Sequence, residues 1–211
     1  QADLANMLEE FRSKYNKASL NLIENGSYAE YGGKTWRIID PEHGGLLLDS
    51  RHVMQMGPMP WSMSGANYRF DPTAPSTLAH YLNNDFYYGL NADRSWIKNS
   101  SWNTGNESVS GSVYAKVGLL TSGQYNVLAD NGVLSPSDEP VPYRWWLITP
   151  AGDGLEEQYV SYVDVDGFIG YAYPQEEYNV RPVVYLKDGI GVVSGDGSYE
   201  APYVLKDNVN A

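Results

Sequence analysis

Apolar side chains recur at steps of three and four residues at the start of the chain, which is the clearest helical signal in the sequence. The residues on this stripe are Leu4, Met7, Leu8, Phe11, Tyr15, Ala18 and Leu22. Acidic residues lie early in the segment and lysines lie later, which suits the dipole of a helix. Asn25 and Gly26 then supply a stop signal. The pattern predicts an amphipathic helix over residues 2–24.

Downstream of Gly26 the apolar spacing changes to the two-residue period that is typical of strands. Residues 34–39 and 46–49 predict the two strands of a hairpin. Residues 54–75 contain four of the five methionines without any periodicity, and they predict a long loop. A second helix is predicted over residues 75–88.

From residue 113 onward, short apolar runs alternate with residues that favour turns. The strongest hairpin signal is the dipeptide Asp166-Gly167, which predicts a two-residue turn between strands at 158–165 and 168–173. Residues 122–130 predict a short helix. The remaining predicted strands are residues 114–120, 144–149, 180–186 and 191–193.

These elements together predict the α+β class. Adjacent strands are joined by turns too short for parallel crossovers, so we expect an antiparallel sheet. The N-terminal amphipathic helix is expected to pack on this sheet, with long loops around it. The expected domain organisation is an N-terminal helix over residues 1–25 and a globular α+β head over residues 26–211.

Composition removes several classes of function. The chain has 211 residues, no cysteine and a formal net charge of −12. Without cysteine it has no disulfide, iron–sulfur cluster or cysteine zinc site. Residues 101–211 hold fifteen acidic residues against five Lys and Arg, and this charge disfavours binding to nucleic acid or to an anionic membrane. No apolar run reaches the ~20 residues of a membrane helix, so we expect membrane attachment only through a segment that precedes Gln1.

Motifs for catalysis and cofactor binding are missing from the sequence. It has no G-x-S-x-G, H-E-x-x-H or G-x-x-x-x-G-K-[ST] pattern. His43, His52 and His80 each stand alone, and we interpret them as surface or capping residues. Paired carboxylates such as Glu176-Glu177 are neighbours in sequence, and on a strand such neighbours point to opposite faces. We therefore predict no enzymatic activity, no catalytic residue and no cofactor.

Calcium is the metal for which the sequence leaves an alternative open. Asp164 and Asp166 begin like an EF-hand loop, but the third acidic ligand and the distant glutamate are missing. A hairpin turn explains Asp166-Gly167 without a metal, and the same two interpretations apply to Asp196-Gly197. We predict no metal site and keep calcium at these two turns as the alternative.

Aromatic residues are the strongest candidates for recognition of another molecule. The chain has 18 tyrosines and six tryptophans against four phenylalanines, so most of its rings carry a polar group. Trp96 and Trp102 frame a polar stretch, and Tyr171 and Tyr173 alternate along a predicted strand. Rings on one face can stack on a sugar or fill a pocket of a partner, whereas core packing is the other interpretation. We take Trp96 and Trp102 as candidate ligand-binding residues.

Several blocks of sequence, in this order, resemble a family of uncharacterised modules in bacterial surface and secreted proteins. The likeness runs from about residue 28 to residue 205. The blocks are Trp36-Arg37-Ile38-Ile39, Tyr81-Leu82-Asn83-Asn84-Asp85-Phe86-Tyr87, Val117-Gly118-Leu119-Leu120-Thr121 with Tyr125, Trp145-Trp146-Leu147, and Val180-Arg181-Pro182-Val183-Val184-Tyr185-Leu186 followed by Gly195-Asp196-Gly197-Ser198 and Pro202-Tyr203.

In that family the module often follows a type IV prepilin-like N-terminus, a hydrophobic helix that anchors the precursor in the membrane and then packs in the filament core. The resemblance implies that the helix predicted over residues 2–24 is the amphipathic half of such a pilin helix. The implied assembly residues, which would contact the head and neighbouring subunits, are Leu4, Met7, Leu8, Phe11 and Tyr15.

A weaker resemblance is to C-type-lectin-like domains, in which a Trp-Trp-Leu strand and a late Arg-Pro strand also occur. It implies a C-type-lectin-like fold as an alternative. Calcium-dependent sugar binders of that fold use Glu-Pro-Asn or Gln-Pro-Asp together with Trp-Asn-Asp. This chain has Glu139-Pro140-Val141 and Trp102-Asn103-Thr104, each of which lacks one ligand. The resemblance therefore does not imply calcium-dependent sugar binding.

The leading hypothesis is a non-enzymatic structural and adhesive module at the bacterial cell surface or outside the cell, either a type IV pilin-like subunit or a related surface protein. It is expected to form homo-oligomers or filaments through its N-terminal helix. The alternative is an adhesin module that binds a host or surface glycan or protein through its aromatic residues. The remote alternative is an acidic hydrolase, and no nucleic acid partner is expected.

Overall fold

Strand is the more abundant secondary structure in the described part of the chain, with 33% of those residues in strands against 23% in helices. The structure, a computed structural model, describes residues 4, 6–7, 19–65, 67–138, 142–151 and 158–207. Its strands form several sheets and its helices are short. The predicted α+β fold, with an N-terminal helix packed on one antiparallel sheet, is therefore wrong. Short apolar runs bounded by turn residues pair into several small sheets instead of one large one.

Thirteen strands are present in the described part of the chain. They are β1 (Tyr28–Tyr31), β2 (Lys34–Asp40), β3 (Gly45–Leu48), β4 (Met59–Pro60), β5 (Ser100–Asn103), β6 (Ser112–Ala115), β7 (Trp145–Pro150), β8 (Val160–Val163), β9 (Ile169–Ala172), β10 (Glu177–Tyr178), β11 (Val183–Tyr185), β12 (Gly191–Ser194) and β13 (Tyr203–Lys206). The α-helices are α1 (Ser50–Met56), α2 (Leu78–Tyr81), α3 (Tyr87–Gly89) and α4 (Ser122–Asp130).

The largest sheet has six strands in the order β11-β3-β2-β1-β13-β12. The predicted hairpin of residues 34–39 and 46–49 is confirmed as β2 and β3. The sequence pattern does not predict β1 or β13, which pair in parallel with Ala29 opposite Tyr203. Because two distant segments that pair in parallel share no turn, this contact leaves no local signal in the sequence.

The remaining strands form three smaller sheets, all antiparallel. Strands β5 and β6 make a ribbon, β4 and β10 make a second ribbon, and β7, β8 and β9 make a three-stranded sheet in that order. The predicted apolar strand at 144–149 is confirmed as β7, which is buried along most of its length. The loop predicted over residues 54–75 contains the end of α1 and the short strand β4.

Residues 19–23 show where the predicted N-terminal helix stops. Leu4, Asn6 and Met7 have helical backbone, but residues 5 and 8–18 lie outside the described part of the chain. Leu20–Leu22 form a 3₁₀ turn, and the Leu20 N–H donates to the Ile190 carbonyl at 3.1 Å. The buried Leu20 side chain packs in the core of the head. The helix therefore does not extend to residue 24, because the chain joins the edge of β12 first.

The second predicted helix is confirmed, although it begins at Leu78 and not at Pro75. Thr77 caps it, since its hydroxyl accepts a hydrogen bond from the His80 N–H. Residues Leu82–Phe86 form a π-helical turn between α2 and α3. The Asn83 amide nitrogen donates hydrogen bonds to the carbonyls of Ala79 and Val117. These bonds stabilise the turn and connect it to the segment that contains Val117.

Helix α4 has the bounds that the sequence predicts. Thr121 and Gln124 form a capping box, in which each side chain accepts a hydrogen bond from the backbone N–H of the other residue. Buried Tyr125 then lies on the inner face of the helix, and its hydroxyl donates to the Gly167 carbonyl at 2.8 Å. This bond holds the turn between β8 and β9 against the rest of the head.

Candidate functional site

The implied assembly residues lie in residues 1–18, of which the structure describes residues 4, 6 and 7. Leu4 and Met7 are on helical backbone and are 66% and 65% exposed. Leu8, Phe11 and Tyr15 lie outside the described residues. The two described residues therefore present apolar side chains to solvent.

The two candidate ligand-binding tryptophans occupy different environments. Trp102 on β5 is 5% exposed, its indole N–H donates to the Ala115 carbonyl at 3.0 Å, and its ring packs 5.4 Å from that of Tyr185. It lies in the core and offers no ring face to a ligand. Trp96 is half-buried and stacks on Tyr31, with ring centroids 5.7 Å apart. The structure does not assemble these two rings into one platform.

The histidines are placed as turn and helix residues. The His43 Nδ1 atom lies 3.0 Å from both carboxylate oxygens of Asp40, and this exposed pair closes the 3₁₀ turn Pro41–His43. His52 is on α1 and His80 is on α2. Among the described residues, no group of three or more His, Asp or Glu side chains is arranged to hold a metal ion.

The two turns considered as alternative calcium sites contain Asp164 and Asp196, whose carboxylates accept hydrogen bonds from other residues of the protein. Asp164 Oδ1 accepts from the Val165 N–H and from Arg144 Nε, at 2.8 and 2.9 Å. These two bonds lower the pKa of Asp164, the backbone bond contributing most. Asp196 Oδ1 accepts from the Ser198 N–H at 2.9 Å, and its hydrogen bonds with Ser198 lower its pKa. Each carboxylate therefore has a local partner within its turn.

The predicted hairpin of residues 158–165 and 168–173 is confirmed as β8 and β9, with a different turn. The Gly167 N–H donates to the Asp164 carbonyl, and the Asp164 N–H donates to the Phe168 carbonyl. Gly167 has a φ of 86°, so it occupies the left-handed position that follows a four-residue turn and forms a bulge. The expected two-residue turn is wrong because Asp164 and Phe168 are bonded to each other, and the loop between them has three residues, Val165, Asp166 and Gly167.

Exposed aromatic side chains are concentrated on this hairpin. Phe168 is 74% exposed, Tyr171 is 54% exposed and Tyr173 is 50% exposed. We call these three residues the aromatic edge, because β9 is the last strand of its sheet. Tyr171 and Tyr173 are two residues apart, so their side chains leave the strand on the same face. Val165, at the turn, is also exposed.

Neighbouring residues fix the direction of the aromatic edge. The Tyr159 and Tyr173 rings are 4.4 Å apart, and the Tyr159 hydroxyl donates to that of Tyr173 at 2.8 Å. On the strand next to β9, Tyr162 packs against Tyr178, which in turn packs against the buried Trp146. The Tyr159 contact therefore orients the Tyr173 ring, and the separate contacts of Tyr162 connect β8 to the core.

The sequence around the aromatic edge is acidic. Between Arg144 and Arg181 the sequence contains seven Asp and Glu and no Lys, Arg or His. Asp166 is exposed before β9, and Glu176 and Glu177 are exposed after it. Arg144 is bonded to Asp164, which neutralises one acidic group of the hairpin. The aromatic edge is thus flanked by acidic side chains at both ends.

Sequence reasoning identified part of this surface. The alternation of Tyr171 and Tyr173 predicts two rings on one face, whereas the sequence pattern predicts only a strand at Phe168. Aromatic spacing in the sequence is similar for exposed and buried rings, so it does not distinguish Tyr171 and Tyr173 from the buried Trp102. The useful additional signal was the acidic sequence with no basic residue around the hairpin.

Two further observations concern membrane-spanning helices and similarity to known proteins. Among the described helices, none combines the length and the apolar character that crossing a bilayer requires. A scan against models of known families, a search of curated proteins and a search of solved structures each returned no match for this chain.

Proposed function

We propose that this protein is a non-catalytic binding module that holds a partner protein through the aromatic edge. The observation that carries the proposal is the concentration of three exposed aromatic rings on one six-residue segment, Phe168 to Tyr173. Aromatic residues are enriched at the centres of protein interfaces, where each ring buries a large area at a small cost in conformational entropy.

The energetics of ring burial support this role. Complete burial of one such ring contributes about 1.5–3 kcal/mol, so three rings can supply the central contacts of a specific interface. The stacked pair of Tyr159 and Tyr173 restricts the mobility of one ring before binding. A ring that is already oriented loses less entropy when the partner binds.

A partner protein fits this surface better than a glycan does. A sugar can stack on the rings of Tyr171 and Tyr173, but it cannot pair with the backbone of a strand at the edge of a sheet. The position of β9 at the end of its sheet offers both ring faces and backbone. We place the binding at the cell surface or outside the cell, which is supported by the resemblance of the sequence blocks to bacterial surface modules.

Alanine substitution of the aromatic edge is expected to weaken partner binding without unfolding the protein. Random peptides displayed on phage and enriched on the native protein should bind a Tyr171→Ala/Tyr173→Ala variant at least about thirtyfold more weakly, because the loss of even one hot-spot ring costs about 2 kcal/mol. The affinities are measured by biolayer interferometry. Tyr114→Ala is the matched control, since Tyr114 is an exposed ring on another strand.

Peptides that keep their affinity for the double variant and lose it for the control would contradict the proposed surface. Glycans that bind on an array and are lost with the double variant, in the absence of any peptide binder, would contradict a protein partner and support the glycan alternative. If the melting temperatures of all variants are unchanged, a loss of affinity reflects a lost contact and not unfolding of the protein.

A second candidate function is assembly through the N-terminal segment. The exposure of Leu4 and Met7 on helical backbone favours it, because exposed apolar residues on a helix commonly become buried in an assembly. Leu4→Asp combined with Met7→Asp is expected to prevent incorporation of the full-length protein into filaments or oligomers, measured by sedimentation and by immunogold labelling of cells. Normal incorporation of this variant would refute the assembly role.

A further inference from the structure

We propose that the outer edge of β9 binds an extended segment rich in lysine and arginine, which joins the three-stranded sheet as a fourth strand. This inference rests on the proposed function and specifies the partner chemistry at the same surface. It combines three features of the hairpin, namely an open backbone edge, the aromatic edge and the acidic side chains that flank it.

The hydrogen-bonding pattern defines which backbone groups of β9 point outward. The Asp164 N–H donates to the Phe168 carbonyl at one end of the hairpin, and the Ala151 N–H donates to the Tyr159 carbonyl on the opposite side of β8. Bonds alternate along an antiparallel pair, so the even-numbered residues of β9 bond to β8. The N–H and C=O groups of Ile169 and Tyr171 therefore point away from the sheet, and no described residue pairs with them.

The outer edges of β7 and of the six-stranded sheet are paired with other segments, which distinguishes β9 from them. The outer edge of β7 pairs with other segments, because Ile148 N–H donates to Leu120 and Trp146 N–H donates to Asn179. On the six-stranded sheet, β11 exchanges hydrogen bonds with Gly118, and β12 forms a bridge with Ser19. Open strand edges are sites at which another extended chain can pair.

Charge complementarity selects the composition of the added segment. Asp166 lies before β9, and Glu176 and Glu177 lie after it, with no basic residue on the hairpin itself. These carboxylates would attract lysine and arginine side chains of a strand bound beside β9. The same cationic groups can lie over the exposed rings of Phe168 and Tyr171, which adds cation–π attraction.

A second copy of this protein is a poorer occupant than a basic segment. Two β9 strands that paired edge to edge would bring two acidic hairpins together, and each chain carries a net charge of −12. Like charges that face each other across paired strands are destabilising. Acidic residues near an open edge thus disfavour pairing between copies while they attract a cationic strand.

The first test compares two defined peptides on the native protein. A peptide of alternating lysine and valine should bind, whereas one of alternating glutamate and valine should not, as measured by isothermal titration calorimetry. Affinity should fall with added salt and with Glu176→Gln/Glu177→Gln, but not with the control Glu200→Gln on another exposed turn. Equal affinity of the native protein for the two peptides would overturn the preference for a cationic segment. Equal affinity of Glu176→Gln/Glu177→Gln and Glu200→Gln for the lysine–valine peptide would overturn it as well.

The second test separates strand pairing from ring contact. Tyr171→Ala and Tyr171→Pro both lose the ring, but only proline also removes an outward N–H, which is a tolerated change at a sheet edge. We expect the lysine–valine peptide to bind the proline variant about threefold to tenfold more weakly than the alanine variant, as for the loss of one hydrogen bond. Binding of the peptide should also slow amide hydrogen exchange at Ile169 and Tyr171 in the native protein.

A lysine–valine peptide methylated on its outward-facing backbone nitrogens provides a control that leaves the protein unchanged. If it binds as well as the unmethylated peptide and exchange at Ile169 is unaffected, strand addition is refuted. Should phage-selected peptides still require Tyr171 and Tyr173 in that case, the proposed binding function stands. If those peptides are also insensitive to the aromatic edge, both proposals fail.

Discussion

Replacement of Trp102 by alanine is expected to lower the free energy of unfolding by about 3–5 kcal/mol. The indole is 5% exposed, donates a hydrogen bond to the Ala115 carbonyl and packs against the Tyr185 ring. Gly118 backs the ring so closely that a side chain at that position would collide with it. Truncation would therefore leave a large cavity, and the Ala115 carbonyl would lose its hydrogen bond from the indole.

Chemical denaturation followed by circular dichroism gives the free energies for this comparison. Tyr114→Ala, on the strand that pairs with β5, removes an exposed ring and should change the stability by less than about 0.5 kcal/mol. A stability change for Trp102→Ala as small as that of the control, together with a lost ligand, would show that Trp102 recognises a ligand and would contradict its placement in the core.

The second large effect is expected for Asn83→Leu, which should lower the free energy of unfolding by about 2–4 kcal/mol. The Asn83 amide nitrogen donates to the carbonyls of Ala79 and Val117, and its oxygen accepts from the N–H groups of Lys116 and Val117. Leucine has a similar size but satisfies none of these four groups. The variant would remove the side-chain partner of the Lys116 and Val117 N–H groups and of the Val117 carbonyl, whereas the Ala79 carbonyl would keep the Leu82 N–H.

Asn84→Ala is the matched control on the same π-helical turn. Its side chain makes a single hydrogen bond, to the His80 carbonyl at 2.9 Å, so we expect a loss of about 1 kcal/mol. Thermal and chemical unfolding of both variants measure the difference. Equal losses for the two variants would contradict the role of Asn83 in joining the helical turn to residues 116 and 117.

The structure changes which aromatic residues are the best candidates for recognition. Sequence spacing made Trp96 and Trp102 the candidate ligand-binding pair, because they frame a polar stretch. The packing of Trp102 against Tyr185 and of Trp96 against Tyr31 uses these rings within the fold. Phe168, Tyr171 and Tyr173 are instead exposed at the end of a sheet, and the proposed binding function depends on them.

Local signals in the sequence were sufficient for several elements. The bounds of α4 follow from the capping residues Thr121 and Gln124, and the β8–β9 hairpin follows from a turn that contains Asp166-Gly167. The β2–β3 hairpin is of the same kind. Each of these elements depends on interactions between residues that are close in the chain, so the pattern of neighbouring residues is enough to predict it.

The amino-acid sequence by itself determined the β2–β3 and β8–β9 hairpins, the capped helix and the acidic character of the β8–β9 region. Only the tertiary structure decided the parallel pairing of β1 with β13, the pairing of Ser19 with the edge of β12 and the exposure of one set of aromatic rings and not another. The physical reason is that burial and strand order depend on contacts between residues far apart in the chain, and alternating aromatic residues look the same in sequence whether a neighbouring segment covers them or not.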